Sequence, residues 1–476
     1  MHILRGMKRA DFLLEKFSTP DLIVRRNFKS DRFDGVLLYN PDLTDSLLIQ
    51  ELLKSLEDVR ENVRNLQQLA SRFVVVAESK VVYENEDATE GILNGDTVII
   101  IDKANGYVVV NTRKYDKRAI TEPPTSNVMQ GPREGFVEDV KTNLALIERR
   151  LRTPSLAVEK LTVGRRSGTC VAIAYLSDVA DESVVKKIRE RIGNIDVDGI
   201  IDSNYVRAFV EDRPMSVFAQ SAVSEKPDVV CAKMLEGRVA VIVDGSPMVL
   251  TFPFLLVEDF QSGEDYYQRS AFSTFLRIVR FLGVITAIFL PGLYVALQIF
   301  HYNIIPMRFV LTLMSSVNGI PFKPLSETVF VILLFELIRE AGIRTPRAVG
   351  MAMSIVGALV LGETAVKAGI ISSPAVMIVA LSSLSLYTVP NQVGTMSILR
   401  IVFTLLGGLG GLYLIICGAT YVVMYLTSID SFSTPYLSPF APINTEDIKD
   451  SLIRVSLPRM INRPSSIPNK NKRRQK

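Results

Sequence analysis

Residues 281–300 read FLGVITAIFLPGLYVALQIF and contain no charged side chain. A helix needs about 20 such residues to cross the hydrocarbon core of a membrane. This stretch therefore predicts a membrane-spanning helix, with a kink at Pro291-Gly292 near its middle. It also divides the chain in two, because charged residues crowd into the sequence before it and into the C-terminal tail, whereas the sequence between is mostly apolar.

The overall composition agrees with two regions of different kind. The chain has 476 residues, too many for one ordinary domain, with 22% charged and 48% hydrophobic residues. The net charge of +4 is modest, and without a zinc spacing or RNA-binding motif it argues against nucleic acid as a partner. Three widely separated cysteines give no disulfide framework. The N-terminus lacks the apolar region of a signal peptide, so insertion is expected to depend on the later segments.

The charged half is predicted to be α/β and to contain two subdomains, 29–133 and 134–262, after an N-terminal mobile arm, 1–28. Strand-like runs such as TVIIID and VAVIVD alternate with amphipathic helices. The triplet Leu93-Asn94-Gly95 precedes the first of these runs, and Leu235-Glu236-Gly237 precedes the second. This echo indicates a duplication, although a turn glycine before a buried strand also recurs by chance.

Catalytic signatures are missing from the charged half. The sequence has no P-loop, no G-x-G-x-x-G and no G-x-S-x-G. Asp102 and Asp244 each end a predicted strand, and we interpret them mainly as solvated carboxylates. The chain is therefore not expected to be an enzyme, and neither a cofactor nor a metal site is predicted.

The membrane domain is predicted to occupy residues 263–430. The predicted spans are 281–300, 326–341, 347–371 and 400–427. A further apolar segment, 374–397, is broken by Val389-Pro390-Asn391-Gln392 and is predicted to be re-entrant or interfacial.

Basic residues near the spans predict their orientation. Arg269, Arg277 and Arg280 precede the first span, and the chain ends KNKRRQK. Because Lys and Arg favour the cytoplasmic side, both ends are predicted there, which requires an even number of crossings. Four crossings are therefore predicted, with five as the alternative. The tail, 431–476, is predicted to be cytoplasmic and to carry a short amphipathic helix within 444–460.

Polar residues inside the apolar half are candidates for function. Glu363 and Lys367 lie four apart in LGETAVKAG, 361–369, and Glu336, Asn391 and Gln392 are further intramembrane polar residues. A charge at the bilayer centre costs at least about 2.5–3.5 kcal/mol, more than an i, i+4 pair recovers. Three interpretations stay open: pairing between packed helices, an ion path, or substrate contact.

Three stretches resemble one known family: PFLLVEDFQSGEDYYQRSAFSTFLRIVRFLG (253–283), FELIREAGIRTPRAVG (335–350) and IVGALVLGETAVKAGIISSPAVMIVALSSLS (355–385). They resemble the A subunit of spore germinant receptors, the GerA family, and the resemblance extends from about residue 30 to 460. It implies a nutrient-receptor subunit in the inner membrane of a bacterial endospore. The implied partners are a transporter-like B subunit, a lipoprotein C subunit, membrane lipid, and copies of the chain in a ring that conducts monovalent cations.

On that resemblance, 347–371 is the expected pore helix. Val360 or Leu361 would form an apolar constriction that gates by dewetting, and Glu363 would form a ring of carboxylates. A non-conducting scaffold or a transporter-like subunit is the alternative. A transporter usually has paired broken helices, and only one break is evident. The residues expected to line the pore are Met353, Ser354, Gly357, Val360, Leu361, Glu363, Thr364 and Lys367.

Overall fold

Strands and helices alternate up to Phe252, and from Ser270 to Thr427 the described residues are mostly helical, whereas the tail after Thr427 is mostly irregular. This arrangement was obtained from a computed structural model that describes residues 3–60, 65–74, 78–102, 104–114, 130–345 and 362–475. The α/β half and the helical half meet at short 3₁₀ turns between residues 256 and 266.

Subdomain 1 (residues 3–110) and subdomain 2 (residues 140–252) form the α/β half. The elements of subdomain 1 are α1 Ile3–Leu14, β1 Val24–Lys29, β2 Asp34–Tyr39, α2 Ser46–Glu57, α3 Leu66–Arg72, β3 Ser79–Val82, α4 Asn85–Leu93, β4 Thr97–Ile101 and β5 Tyr107–Val110. Those of subdomain 2 are α5 Val140–Glu148, β6 Leu156–Val163, β7 Thr169–Leu176, α6 Glu182–Gly193, α7 Ser203–Val210, β8 Ala222–Ser224, α8 Pro227–Leu235, β9 Val239–Val243 and β10 Val249–Phe252.

The two subdomains share one topology. Each sheet is antiparallel, with the strand order β1-β2-β4-β5-β3 in the first and β6-β7-β9-β10-β8 in the second. The order of helices and strands along the chain is also the same. Gly95 and Gly237 precede the equivalent strands β4 and β9 and adopt φ values of 85° and 106°, a conformation that favours glycine. The two sheets therefore share one topology, which agrees with the predicted duplication.

Each sheet is covered by helices on both faces. In subdomain 1, Leu37 and Ile99 pack with α2 and α3, whereas Val36 and Ile100 pack with α1 and α4. Neighbouring residues of one strand are therefore buried on opposite faces, which explains why the strands are continuously apolar.

The N-terminal segment belongs to subdomain 1. Ala10 and Leu13 of α1 are fully buried against the sheet, and β1 is its edge strand. This corrects the prediction of a mobile arm for 1–28. The physical reason is that α1 covers a sheet face that would otherwise expose apolar side chains, as α5 does in subdomain 2.

The helical half contains two runs, Ser270–Ile299 and Pro390–Thr427, that are long and apolar enough to cross a membrane by length and composition. We call the end of this bundle nearest the α/β half proximal and the opposite end distal. Its elements are α9 Ser270–Ile299, α10 Met307–Val317, α11 Pro324–Arg344, α12 Gly362–Lys367, α13 Ser373–Leu386, α14 Val393–Thr427 and, in the tail, α15 Thr445–Ile448.

Helix α14 is a hairpin of two legs, residues 393–409 and 412–427. Gly410 (φ −149°, ψ 20°) and Gly411 (φ 63°, ψ −149°) leave helical geometry between them. The second leg then packs back on the first, since a Cβ at Gly418 would lie 2.6 Å from a Leu406 methyl group. The chain therefore reverses direction at the distal end.

The two ends of α14 lie against the same loop of subdomain 2. Thr395 Oγ1 donates a hydrogen bond to the Val217 carbonyl at 2.6 Å, and Arg213 Nη2 donates one to the Ser428 carbonyl at 2.7 Å. A straight helix of 35 residues would separate its ends by about 50 Å. Each leg therefore runs between the proximal and distal ends.

Helix α13 also runs along the bundle. Its N-terminal residue Ser372 lies at the distal end, Ser382 Oγ donates to the Ala287 carbonyl at 2.8 Å, and Thr388 packs on Gly283 near the proximal end. The segment 374–397, predicted to be re-entrant or interfacial, thus forms α13 and the start of α14, and its position relative to a membrane stays a prediction. The break at Val389-Pro390 is a turn at the proximal end, between two packed helices.

The tail packs against subdomain 2. Met460 and Ile467 are buried, and Asn469 forms an isolated β-bridge with Ala180. Helix α15 has four residues, which corrects the longer amphipathic helix expected within 444–460. The reason is that Asp447 accepts hydrogen bonds from the backbone and hydroxyl of Ser466, so this segment is held by tertiary contacts.

Candidate functional site in the joint and the helical bundle

A buried ionic cluster joins α9 to the segments that surround its start. Arg277 is fully buried two turns into α9. Its Nε donates to Asp265 Oδ2 and its Nη1 to Asp450 Oδ1, both at 3.0 Å. Arg280 donates to the two oxygens of Asp265 at 2.8 and 3.0 Å. The cluster therefore ties the first long helix to the turn before it and to the tail.

We call the region where α9 meets the turns before it and the tail the joint. An aromatic ring completes it. The guanidinium groups of Arg277 and Arg454 lie 5.7 and 5.5 Å from the ring centroid of Tyr266, within the range of cation–π attraction. The Tyr266 hydroxyl donates to Asp450 Oδ2 at 2.9 Å. Burial raises the pKa of the Asp450 carboxyl, although Arg277 opposes the shift. Movement of α9 would therefore disturb the tail as well.

A second contact links the bundle to the α/β half. Gln392 is buried between α13 and α14, and its Nε2 donates to Asp259 Oδ2 at 2.6 Å. Burial raises the pKa of Asp259 to about 7, against the effect of the Gln392 hydrogen bond. Asn391 lies beside the same carboxyl group.

Asn391 and Gln392 were predicted to be intramembrane polar residues, and that stays a prediction; in the structure they lie in the turn that joins α13 to α14. The turn between α13 and α14 is at the proximal end, so both residues lie at the joint with the α/β half. Their polar groups face Asp259 because the proline break ends one helix and starts the next there.

A second ionic cluster lies inside the bundle and contains Glu336. Its Oε1 accepts a hydrogen bond from Arg400 Nη2, and its Oε2 pairs with Arg339 Nη2, both at 2.5 Å. Arg400 also donates to Ser383 Oγ, and Arg339 to Ser397 Oγ, both at 2.9 Å. Buried charges are tolerated when they are paired and hydrogen-bonded in this way. The cluster joins α11, α13 and the first leg of α14.

Glycines bring α9 and α14 into backbone contact. A Cβ at Gly292 would overlap the Phe403 carbonyl oxygen, and one at Gly407 would overlap the Gly292 carbonyl oxygen. Small residues allow helices to approach this closely. The glycines of the first leg therefore fix the packing of the two longest helical elements.

The predicted pore residues fall in two groups. Glu363, Thr364 and Lys367 lie on α12, where Lys367 Nζ pairs with Glu363 Oε1 at 2.6 Å. These two charged side chains are 57% and 73% exposed, whereas Ala365 and Val366 pack against the bundle. The other predicted residues, Met353, Ser354, Gly357, Val360 and Leu361, lie outside the described residues.

Comparison with known proteins identifies the family. The family model described as Bacillus/Clostridium GerA spore germination protein matches residues 11–466. This chain belongs to the GerA family. It is similar to spore germination protein KA of Bacillus subtilis (strain 168), with 35% identity over 96% of this chain and 86% of that protein.

Two further GerA-family comparisons concern the membrane and the α/β half. The uncharacterized membrane protein YfkQ of Bacillus subtilis (strain 168) is 32% identical over 94% of this chain and 88% of its own length. The crystal structure of the N-terminal domain of the A subunit of the Bacillus megaterium spore germinant receptor GerK3 matches with 29% identity and a TM-score of 0.40. That match covers 52% of this chain and 92% of the GerK3 domain.

The joint of this GerA-family chain was missed by sequence reasoning. Arg277 and Arg280 were interpreted only as orientation signals, and Arg400 only as the start of a span. A usable signal exists for Arg400, since it lies inside an apolar run and two serines, Ser382 and Ser383, lie in the preceding helix. The partners Asp265 and Asp450 are 185 positions apart and become neighbours only in the fold.

The α/β half of this GerA-family chain contains a cavity of about 850 Å³ between the subdomains. Charged side chains of both subdomains line it, among them Asp42, Lys141, Arg149 and Lys160. Within the described ranges, no group of three or more His, Cys, Asp or Glu side chains is placed to hold a metal ion.

Proposed function

We propose that this chain is the A subunit of a nutrient germinant receptor in the spore inner membrane, and that a ring of copies forms a ligand-gated channel for monovalent cations. The family assignment and the spore germination proteins among its relatives support the receptor role. A transporter-like B subunit and a lipoprotein C subunit are the proposed partners. The α/β half and the tail are proposed to face the cytoplasmic side, the spore core.

The exposed charges of α12 carry the channel proposal. Glu363 and Lys367 project from the bundle surface, while the same short helix packs its apolar side inward. An isolated copy in lipid would hold both charges against hydrocarbon if α12 lies within the membrane core, and a charge in hydrocarbon is costly. A ring of copies around water would instead hydrate them, and the carboxylates would concentrate cations at the mouth.

The bundle also supports a revised topology. We propose six crossings: α9, α11, the predicted segment 347–371, α13 and the two legs of α14. An even number keeps the basic regions at both ends of the membrane half on one side, as the distribution of Lys and Arg requires. The shorter helices, such as the 14 residues of α13, would span about 21 Å and require a locally thin or protein-filled membrane region.

Cation flux from germinating spores tests the channel. Glu363→Gln is expected to reduce the flux of monovalent cations and to weaken cation selectivity, and Val360→Trp is expected to alter or block flux. The matched control is Glu340→Gln, because Glu340 forms an exposed i, i+4 pair with Arg344 on α11 in the same way. Receptor amounts in the spore membrane are measured for each variant by immunoblotting.

Normal assembly of both variants with unchanged flux and selectivity would refute the pore assignment. A second measurement uses single cysteines along 347–371 and a membrane-impermeant thiol reagent, in a background where Cys170, Cys231 and Cys417 are replaced. Reaction of one strip of positions in the open receptor is expected. If every position stays unreactive, the segment faces lipid or protein and the non-conducting scaffold is favoured.

The cavity between the subdomains favours a second candidate function, solute sensing by the α/β half. It has charged walls on both sides and a volume that suits a nutrient-sized molecule. Competition of a germinant with a labelled ligand on the purified full chain tests it. Arg149→Ala is expected to weaken such binding, whereas an equal affinity in the variant would exclude this cavity.

A further inference from the structure

The helical half buries a second glutamate whose surroundings differ from those of Glu336. Glu327 lies in the first turn of α11 at the distal end and is fully buried. Its Oε1 accepts a hydrogen bond from the Ser372 backbone N–H at 2.5 Å. Its Oε2 has no hydrogen-bond partner, and no arginine or lysine pairs with the carboxyl, among the residues that the structure describes. Glu336, by contrast, contacts two guanidinium groups.

Two more buried oxygen atoms lie at the same place. Tyr294 and Gln298 are one turn apart on α9, and neither the Tyr294 hydroxyl nor Gln298 Oε1 makes a hydrogen bond of ordinary geometry within the described part of the chain. Ser372, Gln298 and Glu327 are the polar neighbours of that hydroxyl. Leaving one buried polar atom without a partner costs about 1–3 kcal/mol, so the buried Glu327 Oε2, with Tyr294 and Gln298 close by, is favourable for a bound cation.

A cavity at the distal end adjoins this cluster at Gln298. It has a volume of about 550 Å³, and its lining includes Gln298, Tyr302 and Pro324. Gln298 therefore belongs both to the cavity wall and to the oxygen cluster, and Pro324 starts the helix that carries Glu327. A small solute in this cavity would lie beside Gln298 and the start of α11.

We propose that Glu327, Tyr294 and Gln298 bind one small monovalent cation, either an alkali metal ion or a primary ammonium group. The site offers one carboxylate oxygen with two neutral oxygens, all hard donors of the kind that such cations prefer. A single positive charge neutralises the carboxylate, whereas a divalent ion would leave an excess charge in an apolar bundle and usually requires more carboxylates.

Thermal unfolding of the purified full chain in nanodiscs tests this site independently of whether the chain conducts. The chain is titrated with KCl, NaCl or methylammonium chloride at constant ionic strength, with N-methylglucamine chloride as the balancing salt because its cation is too large for the cluster. A saturable rise in Tm is expected with at least one of the three small cations. The alkali and methylammonium arms separate the two possible sources of the charge.

Three variants make the result specific. Glu327→Gln keeps an oxygen acceptor for the Ser372 N–H and is expected to lose the cation-dependent rise. Tyr294→Phe removes one oxygen and is expected to raise the half-saturating concentration about tenfold. Glu340→Gln, on the exposed face of the same helix, is the control and is expected to leave the titration unchanged.

Two results would overturn the site. One is a wild-type Tm that is the same in all four salts. The other is a cation-dependent rise that persists in Glu327→Gln and Tyr294→Phe.

Discussion

The two α/β subdomains have the same strand order and different neighbours. Among the described residues, subdomain 1 is hydrogen-bonded to subdomain 2. For example, Asn40 Nδ2 donates to Glu148 Oε2 at 2.8 Å. Subdomain 2 also binds the bundle and the tail, through contacts such as Thr395 to Val217. A duplicated unit has thus kept its core in both copies, while one copy has become the connection to the membrane half.

The difference shows which contacts connect each part to its neighbours. Subdomain 1 meets subdomain 2 at the interface around Glu148, and the bundle meets the rest of the chain at the Val217 and Ser428 contacts and at the joint around Arg277 and Asp259. The joint is more ionic and more deeply buried than the subdomain interface. Breaking the joint should therefore cost more free energy than altering the subdomain interface.

The largest effect is expected from Arg277→Met. Methionine has similar length and no charge, so it leaves the half-buried Asp450 without its guanidinium partner and the buried Asp265 with Arg280 alone. Removing one partner of a buried ion pair costs about 3–5 kcal/mol. Thermal unfolding of the full chain and limited proteolysis of the tail measure the loss.

Arg165→Ala is the control for this change, because Arg165 and Asp196 form an ion pair at the exposed surface of subdomain 2. Exposed pairs contribute little to stability, so no measurable shift is expected. If Arg277→Met unfolds at the same temperature as Arg165→Ala, the joint does not hold the halves together.

The repeated α/β fold was largely predictable from sequence, and the features that the prediction missed have physical reasons. The glycine before β4 and the glycine before β9 need φ values that other residues avoid, so the repeat was visible. The packing of helix α1 was not predictable, because its buried side chains Ala10 and Leu13 are few and lie among charged residues. Its burial depends on the sheet that it covers.

The helical half was less predictable because its decisive contacts are distant in sequence. Gly410-Gly411 interrupts a continuous apolar run, so hydropathy alone gives one span where the chain forms a hairpin. The partner of Glu336 is Arg400, 64 positions away. Polar residues were recognised as candidates, but which pairs form depends on helix packing that periodicity does not specify.

The next largest expected change in stability is its dependence on pH, which arises at the interface between the subdomains. Burial raises the pKa of Glu148 to about 7 from the ordinary value of 4.5. The folded state therefore binds the proton more tightly than the unfolded state, and stability is highest below about pH 4.5 and falls as pH rises to about 7. The loss is up to about 3 kcal/mol.

Unfolding of the full chain at pH 5 and pH 8 measures this loss. Glu148→Gln cannot ionise and is expected to reduce the difference between the two pH values. Glu57→Gln, at an exposed glutamate of subdomain 1, is expected to keep it. A Glu148→Gln chain with the wild-type pH dependence would show that Glu148 ionises freely at the interface.

A smaller loss of stability is expected from substitutions at the equivalent glycines of the two subdomains. Gly95→Ala and Gly237→Ala each place a side chain in left-handed backbone, which costs about 1–2 kcal/mol. At Gly237 the new Cβ would also lie 3.1 Å from Asn469 Cβ in the tail. Both variants should lose similar stability in thermal unfolding, but only Gly237→Ala should expose the tail to protease.

Gly193→Ala tests whether this loss is specific to the left-handed positions. A Cβ added at Gly193 would have no heavy atom within 4 Å among the described residues. Gly193 is also not one of the glycines with a positive φ. Its stability should be within about 0.5 kcal/mol of wild type. Equal protease sensitivity of the Gly95 and Gly237 variants would remove the proposed link between subdomain 2 and the tail.

The smallest effect on stability is expected from the charges beside Glu148. Asp42 raises and Lys160 lowers the pKa of Glu148, and the two form a partly exposed pair at 3.8 Å. Asp42→Asn should move the midpoint of the pH-dependent stability change to lower pH, and Lys160→Gln should move it to higher pH. Each substitution should change stability at pH 5 by less than about 1 kcal/mol. Opposite shifts of the midpoint would locate the pH dependence at this interface. Shifts in the same direction would place it elsewhere in the chain, and the subdomain interface would then be a passive contact.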